Sequence, residues 1–237
     1  MRGKLTGSIR DLQRKGKAPI ISEVKLRTPR DGDLLKGRDP VKLAKRMANC
    51  EIAGLSVVTE PRYFGGSKEL LRDIAKAVDK PILHKDFITT VERVEESKRM
   101  GSSAILLIAS MLSDLDLATL HRHAHSLGLE TVVEVHTEKE LRRVLALDLD
   151  LDILGINNRD IILLETDDSD VSVTETLAPK IEDDVIILSE SSLKTPDDVR
   201  RALKGGADSV LIGTAVMQAD NVEGFLKELI EIWKPSE

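Results

Sequence analysis

Eight short runs rich in Val, Ile and Leu recur along the 237-residue chain, and this recurrence limits the architecture more than any other feature. They fall near residues 18–25 (APIISEVK), 54–60 (GLSVVTE), 81–88 (PILHKDFI) and 103–110 (SAILLIAS). Four more follow near 130–136 (ETVVEVH), 153–159 (ILGINNR), 184–191 (DVIILSES) and 209–216 (SVLIGTAV). Most are near-continuous apolar stretches, as expected of parallel strands buried on both faces. Helical patterns fill the gaps. Residues 67–79 place Leu70, Leu71, Ile74, Ala75 and Val78 at helical spacing. Thr137 with Glu140 reads as a capping box for a helix to about Leu147, and Thr195-Pro196 as an N-cap with Pro at the first helical position. Gly205-Gly206 stops that helix, and the last one, about 221–233, repeats Phe225, Leu226, Leu229, Ile230 and Trp233. Strand–helix alternation repeated eight times predicts an α/β fold, a single (β/α)8 TIM barrel over 1–237, with residues 1–17 as a short N-terminal helical extension. The rival, an open doubly wound sheet, usually carries a nucleotide loop, and neither G-x-G-x-x-G after the first run nor G-x-x-x-x-G-K-[ST] occurs.

Composition excludes several function classes. The formal net charge of −6 argues against a nucleic-acid partner, which needs a basic stripe. One cysteine, Cys50, rules out a disulfide framework or Cys-based metal site and reads as a small core residue. No apolar run approaches the roughly 20 residues of a membrane span, and Met1-Arg2-Gly3-Lys4 lacks the apolar stretch of a signal peptide. A soluble, cytoplasmic protein without a membrane partner is expected. One Trp, one Tyr and three Phe leave an aliphatic core, so the placement of Tyr63, Phe64 and Phe87 just after the second and third runs suggests a rim pocket for a flat group.

In such a barrel the strand C-termini form the active face. The first run carries Glu23 and Lys25, two apart and so on one strand face; the third ends in Lys85 and the fifth in Glu134. The sixth ends in Asn157 and Arg159, the seventh in Glu190 and Ser191. Buried unpaired charge costs several kcal/mol, so these groups should pair with each other or with substrate. Lysine beside carboxylate suits proton transfer at carbon or carbonyl centres, and no hydroxyl nucleophile with an adjacent His suggests acyl transfer. The turns at Ser191-Ser192 and Gly213-Thr214 are placed to cradle a phosphate, with Lys25 and Arg159 adding charge. His121 and His125 share a helical face while His123 points away, and the pattern offers them no neighbouring carboxylate. Asp148, Asp150 and Asp152 open like a calcium loop, but Ile153 stands where the turn needs Gly. Asp167, Asp168 and Asp170 read as a loop and helix N-cap. No metal and no cofactor is expected.

Assembled, these pieces resemble indole-3-glycerol phosphate synthase over about residues 18–217: PIISEVKLRTP, SVVTEPRYFGGS, PILHKDFI, VVEVH, LGINNRD, SES and LIGTAVM. The resemblance implies a cofactor-independent carbon–carbon lyase of tryptophan biosynthesis, converting 1-(2-carboxyphenylamino)-1-deoxyribulose 5-phosphate to indole-3-glycerol phosphate, CO₂ and water. It implies Lys85 as general acid for ring closure and Glu134 as principal partner in dehydration, with Lys25 a competing acid. Glu23 and Glu190 would hold the lysines charged and oriented. Asn157 and Arg159 would position polar groups of the substrate, and Phe64 with Phe87 would flank its ring. The family's Ser-Pro-Ser after the first strand is here Thr28-Pro29-Arg30, and its Glu-Ser-Gly on the seventh is Glu190-Ser191-Ser192. Ser192 can serve the phosphate if its φ is negative. The short amino-terminal helix is expected to weaken closure over the substrate. A phosphoribosyl isomerase type of barrel would favour paired carboxylates on opposite strands, and the third-strand lysine speaks against it. A non-catalytic, phosphate-binding barrel is the other alternative. The expected partner is a small phosphorylated substrate, and the expected state a monomer or weak homodimer.

Overall fold

The eight apolar runs form eight parallel strands of a closed barrel in a computed structural model that describes residues 3–159, 170–182 and 184–233. They are β1 (Ile20–Val24), β2 (Gly54–Val58), β3 (Ile82–Lys85), β4 (Ala104–Ile108), β5 (Glu130–Val135), β6 (Ile153–Asn157), β7 (Ile186–Glu190) and β8 (Ser209–Ile212). Each strand pairs with its sequence neighbour, and β1 closes the circle on β8 through Ile21 opposite Leu211. The TIM barrel expected from the alternation is therefore the observed fold. A small antiparallel hairpin, Arg27–Thr28 with Gly32–Asp33, follows β1; it was not foreseen, because two-residue strands carry no periodicity.

Strand alternation divides the core into an inner and an outer part. Ile21, Leu83, Leu106, Val132, Leu188 and Leu211 meet along the barrel axis. The intervening residues, among them Ile20, Val24, Val57, Val210 and Ile212 on one side and Leu107, Val133, Leu154 and Ile156 on the other, pack outward against helices. The surrounding helices are α2 (Pro40–Ala48), α3 (Pro61–Phe64), α4 (Lys68–Ala77), α5 (Val91–Met100), α6 (Asp114–Ser126) and α7 (Glu138–Leu145), then α8 (Ser172–Leu177), α9 (Pro196–Lys204), α10 (Thr214–Gln218) and α11 (Val222–Ile230). Among the described residues no helix is long and apolar enough to cross a membrane.

Capping follows the sequence closely. Thr195 and Asp198 form a full capping box on α9. On α7 only half a box forms: Thr137 Oγ1 accepts from the Glu140 N–H, but the Glu140 carboxylate accepts from His136 N–H, one residue upstream of the box position. Asp170 accepts from the Ser172 N–H at the start of α8; Asp167 and Asp168 lie outside the described residues. Cys50 is only partly buried, against the outer cluster, because it falls just beyond the end of α2.

The first helix, α1 (Leu5–Arg14), corrects the expectation that it bears on closure over the substrate. It buries Leu5, Ile9 and Leu12 against the inner cluster. Leu5 sits where a side chain on Gly54, the first residue of β2, would have to go. The helix thus seals the N-terminal end of the barrel. Burying Leu5 and Ile9 completely contributes on the order of 1.5–3 kcal/mol each.

Candidate active site

The opposite end gathers the charged residues. β1, β3, β5, β6 and β7 run into Glu23, Lys85, Glu134, Asn157 and Glu190, and Lys25 follows β1 directly. Lys85 Nζ donates to Glu190 Oε2 and lies 3.6 Å from Glu134 Oε2. Lys25 Nζ is 3.3 Å from Glu23 Oε1, whose partner oxygen accepts from Ser56 Oγ at 3.2 Å. Glu23, Lys25, Glu134 and Glu190 are nearly fully buried. The pairing expected from the cost of buried charge is realised.

The electrostatic balance has named sources. Burial alone would lower the Lys85 ammonium, but Glu190, Glu134 and Glu23 outweigh it and raise its pKa. Lys85 is therefore charged throughout the neutral range. For Glu190, burial raises the pKa, Lys85 offsets part of this, and Glu134 and Glu23 add to the rise. Glu134 is pushed up by burial but brought below its ordinary value by Lys85, then by His136 and Asn157. One ammonium cannot satisfy two carboxylates completely. Oε1 of Glu134 and Oε1 of Glu190 are both buried and make no well-aligned hydrogen bond among the described residues, although Glu134 Oε1 faces His136 Nε2. A buried carboxylate oxygen left without a hydrogen bond costs about 1–3 kcal/mol.

Glycine makes room for these acids. A Cβ on Gly155 of β6 would lie 2.5 Å from Glu190 Oε1, and one on Gly213 would lie 2.6 Å from Glu23 Oε1. Gly213 was expected to act through phosphate; the structure adds that it gives Glu23 its space. Gly155 was not singled out, since a glycine inside an apolar run carries no functional signal of its own.

The cleft has two lobes that share Glu23, Lys25, Lys85, Arg159 and Ser191. One is lined by Val58, Phe64, Phe87, Leu106 and Ile108 together with Glu134 and Asn157. Phe64 lies under Lys25, whose Nζ is 5.7 Å from the ring centroid. Its position is set by Glu60, which caps the short α3 by accepting from the N–H groups of Arg62, Tyr63 and Phe64. Tyr63 lines neither lobe and lies beside the Arg62 guanidinium instead. The pocket foreseen for a flat group thus has two of its three expected rings.

The second lobe is lined by Arg30, Ser191, Ser192, Lys194, Gly213 and Thr214, among others. Ser191 and Ser192 have φ of 66° and 61°, so the condition set for Ser192, a negative φ, is not met. Two consecutive side-chain-bearing residues hold a backbone shape that favours glycine. Asn158 over-determines it. Its Nδ2 donates to Ser189 Oγ and to the carbonyls of Glu190 and Ser191, while Oδ1 accepts from Thr174 N–H and Oγ1. Arg159 Nε donates to Ser192 Oγ at 3.2 Å, and Asn157 Oδ1 accepts from the Arg159 N–H at 3.0 Å. The strain is thus held by buried amide contacts, and it fixes Arg159 beside the polar lobe.

Other supporting residues went unnoticed in the sequence. Asp86, after Lys85, accepts from Thr59 Oγ1, from Arg93 (2.6 Å) and from its neighbour Phe87 N–H. Burial raises its pKa, but His84, Thr59, Phe87 N–H and Arg93 together hold it well below the usual carboxylate range. His84 is fully buried between Thr59 Oγ1 and Ser97 Oγ, each 2.7 Å away. His136 Nε2 is 3.3 Å from Glu134 Oε1. Only the adjacency of His84 and Asp86 to Lys85 hinted at this network; Thr59 and Arg93 come from other elements.

A closed parallel barrel with a lysine–glutamate cluster between an apolar and a polar lobe has the build of a barrel enzyme. Comparison with known proteins narrows the class. The family model described as indole-3-glycerol phosphate synthase matches residues 4–229, and the chain belongs to that family. The indole-3-glycerol phosphate synthase of Pyrococcus furiosus is 44% identical over 225 residues, spanning 95% of this chain and 97% of that one. That of Thermococcus kodakarensis is 43% identical over 226 residues, with 95% and 98% covered. The N-acetylmannosamine-6-phosphate 2-epimerase from Clostridium perfringens superposes with a TM-score of 0.67 at 15% identity over 91% of each chain, a likeness of fold alone.

Proposed function

We propose that the cleft carries out the reaction of its family, closing 1-(2-carboxyphenylamino)-1-deoxyribulose 5-phosphate to indole-3-glycerol phosphate with loss of CO₂ and water. The observation that carries this reading is the position of Lys85, which borders both lobes while bound to Glu190 and near Glu134. A substrate with its aromatic ring between Phe64 and Phe87 and its phosphate at Ser191, Gly213 and Thr214 spans the lobes and presents its ketone to Lys85. The ammonium donates its proton as the ring carbon attacks and the ketone oxygen gains charge. Loss of CO₂ then restores the aromatic ring. For dehydration Glu134 takes the proton, and Lys25, held by Glu23, serves the departing hydroxyl. Asn157 orients Glu134, and Arg159 binds an anionic group of the substrate. The whole chain works as one catalytic unit on a small phosphorylated molecule, in the cytoplasm, without nucleic acid, membrane or cofactor, as a monomer or weak homodimer.

The test compares Lys85→Met with Lys25→Met, following the fluorescence of the indole product. Lys85→Met should lower kcat by about 10²–10⁴-fold with KM little changed. Lys85→Arg should not restore it, because guanidinium is a poor proton donor. If Lys85→Met kept more than about a tenth of turnover while Lys25→Met lost it all, the acid for ring closure would move to β1.

A further inference from the structure

Far from the cleft, the fold completes a cluster that the sequence left divided. His121 and His125 share a face of α6, and their rings lie 4.1 Å apart between centroids. The carboxylate that the neighbouring turns of α6 lack arrives from Asp152, just before β6: His125 Nε2 is 2.6 Å from Asp152 Oδ2. One nitrogen from each imidazole and one oxygen of Asp152 all lie within 4.8 Å of one another. We propose that His121, His125 and Asp152 form a binding site for a divalent transition cation, zinc in the first instance, at the N-terminal end of the barrel.

The donor set suits the ion. Two imidazoles and one carboxylate with water in the remaining position is an established tetrahedral zinc environment. Metal–ligand bonds of about 2.0–2.2 Å place neighbouring ligand atoms roughly 3.3 Å apart. The His125–Asp152 contact must therefore open by a fraction of an ångström, and the cation takes the place of the proton that now joins them. Both side chains are in position to move, being 31% and 14% exposed, and their exposure admits the ion and its water.

The surroundings hold the ligands as a metal site requires. Thr131 Oγ1 donates to Asp152 Oδ2 at 3.3 Å, so with its one proton committed it accepts from His121 Nδ1–H at 2.9 Å. That contact holds the His121 ring in place against β5. Thr131 N–H also donates to Asp152 Oδ2 at 2.8 Å, fixing the carboxylate to β5. A bound cation would pin α6 to β5 and β6 at the end of the barrel remote from the chemistry.

Zinc and cobalt(II) chloride are the probes. Calorimetry with zinc and the visible absorption of cobalt(II) should show one ion per chain, with tetrahedral cobalt bands. The melting temperature should rise with zinc. His125→Gln, which keeps a hydrogen-bond donor toward Asp152, and Asp152→Asn should each weaken binding at least about tenfold and abolish the thermal shift. His123→Ala and Cys50→Ser should bind as the parent does, since neither residue belongs to the cluster. Circular dichroism establishes that each variant is folded. Failure of the parent to bind zinc saturably, or equal binding by folded His125→Gln and Asp152→Asn, overturns the proposal. Neither result bears on the reaction in the cleft, which is read by product fluorescence.

Discussion

Glu130 and Glu134 are four residues apart on β5, both face the barrel interior and both are nearly inaccessible, yet they do opposite things. Glu130, at the N-terminal end, receives the first turn of α1. Its Oε2 accepts from Leu5 N–H at 2.5 Å and Thr6 N–H at 3.4 Å, and its Oε1 from Thr6 Oγ1. The helix needs this, because Lys4 at its N-cap supplies no side-chain acceptor. Glu134 instead shares one lysine with Glu190, and its Oε1 faces His136 Nε2 at 3.3 Å without a well-aligned hydrogen bond among the described residues. The same residue type on the same strand face serves structure where both oxygens accept well-aligned hydrogen bonds, and borders the cleft where one oxygen does not. Burial alone does not separate the two. Hydrogen-bond accounting does.

The strongest way to break this contrast is to neutralise each acid in turn. Glu134→Gln should reduce kcat by about 10²-fold or more while thermal stability holds or improves, since an incompletely paired buried charge disappears. Glu130→Gln should leave kcat of the folded enzyme unchanged and lower unfolding free energy by about 1–3 kcal/mol, as the charge-assisted contacts to α1 weaken. Chemical denaturation and steady-state kinetics on both variants decide it. Equal losses of kcat would mean that the two ends of β5 are not distinct in function.

Acid titration sharpens the picture at the C-terminal end of the strands. The Asp86 pKa is depressed in the folded state, so its contribution is present above the unfolded carboxylate value near 4 and is lost as pH falls through the lower folded value. Asp86→Asn should therefore shrink the stability lost between pH 7 and pH 3 by about 1–2 kcal/mol. An unchanged pH dependence would show that the network beside Lys85 does not depend on the Asp86 charge.

The smallest effect concerns the strained turn. Ser192→Gly removes a side chain from a φ of 61° and should add about 1 kcal/mol of stability, or some 2–4 °C in Tm. KM should change little. A large rise would show that Ser192 Oγ, through Arg159 or directly, carries much of the anion binding.

What the sequence alone determined is everything encoded by local period. Eight apolar runs and the helices between them specify the barrel, because side-chain alternation and helical spacing act over a few residues. Once the barrel is known, the last residues of each run must converge, and Lys85, Glu134, Asn157 and Glu190 were legible for that reason. Tertiary structure decided who meets whom. Lys85 and Glu190 are 105 positions apart, Leu5 and Glu130 125, and His125 and Asp152 27. Gly155 matters only because a carboxylate from the next strand occupies its missing side chain, and Asn158 only because β7 turns through positive φ beside it. Such contacts depend on register and close approach between distant segments, which leave no periodic trace in the chain because each partner is placed by its own strand or helix.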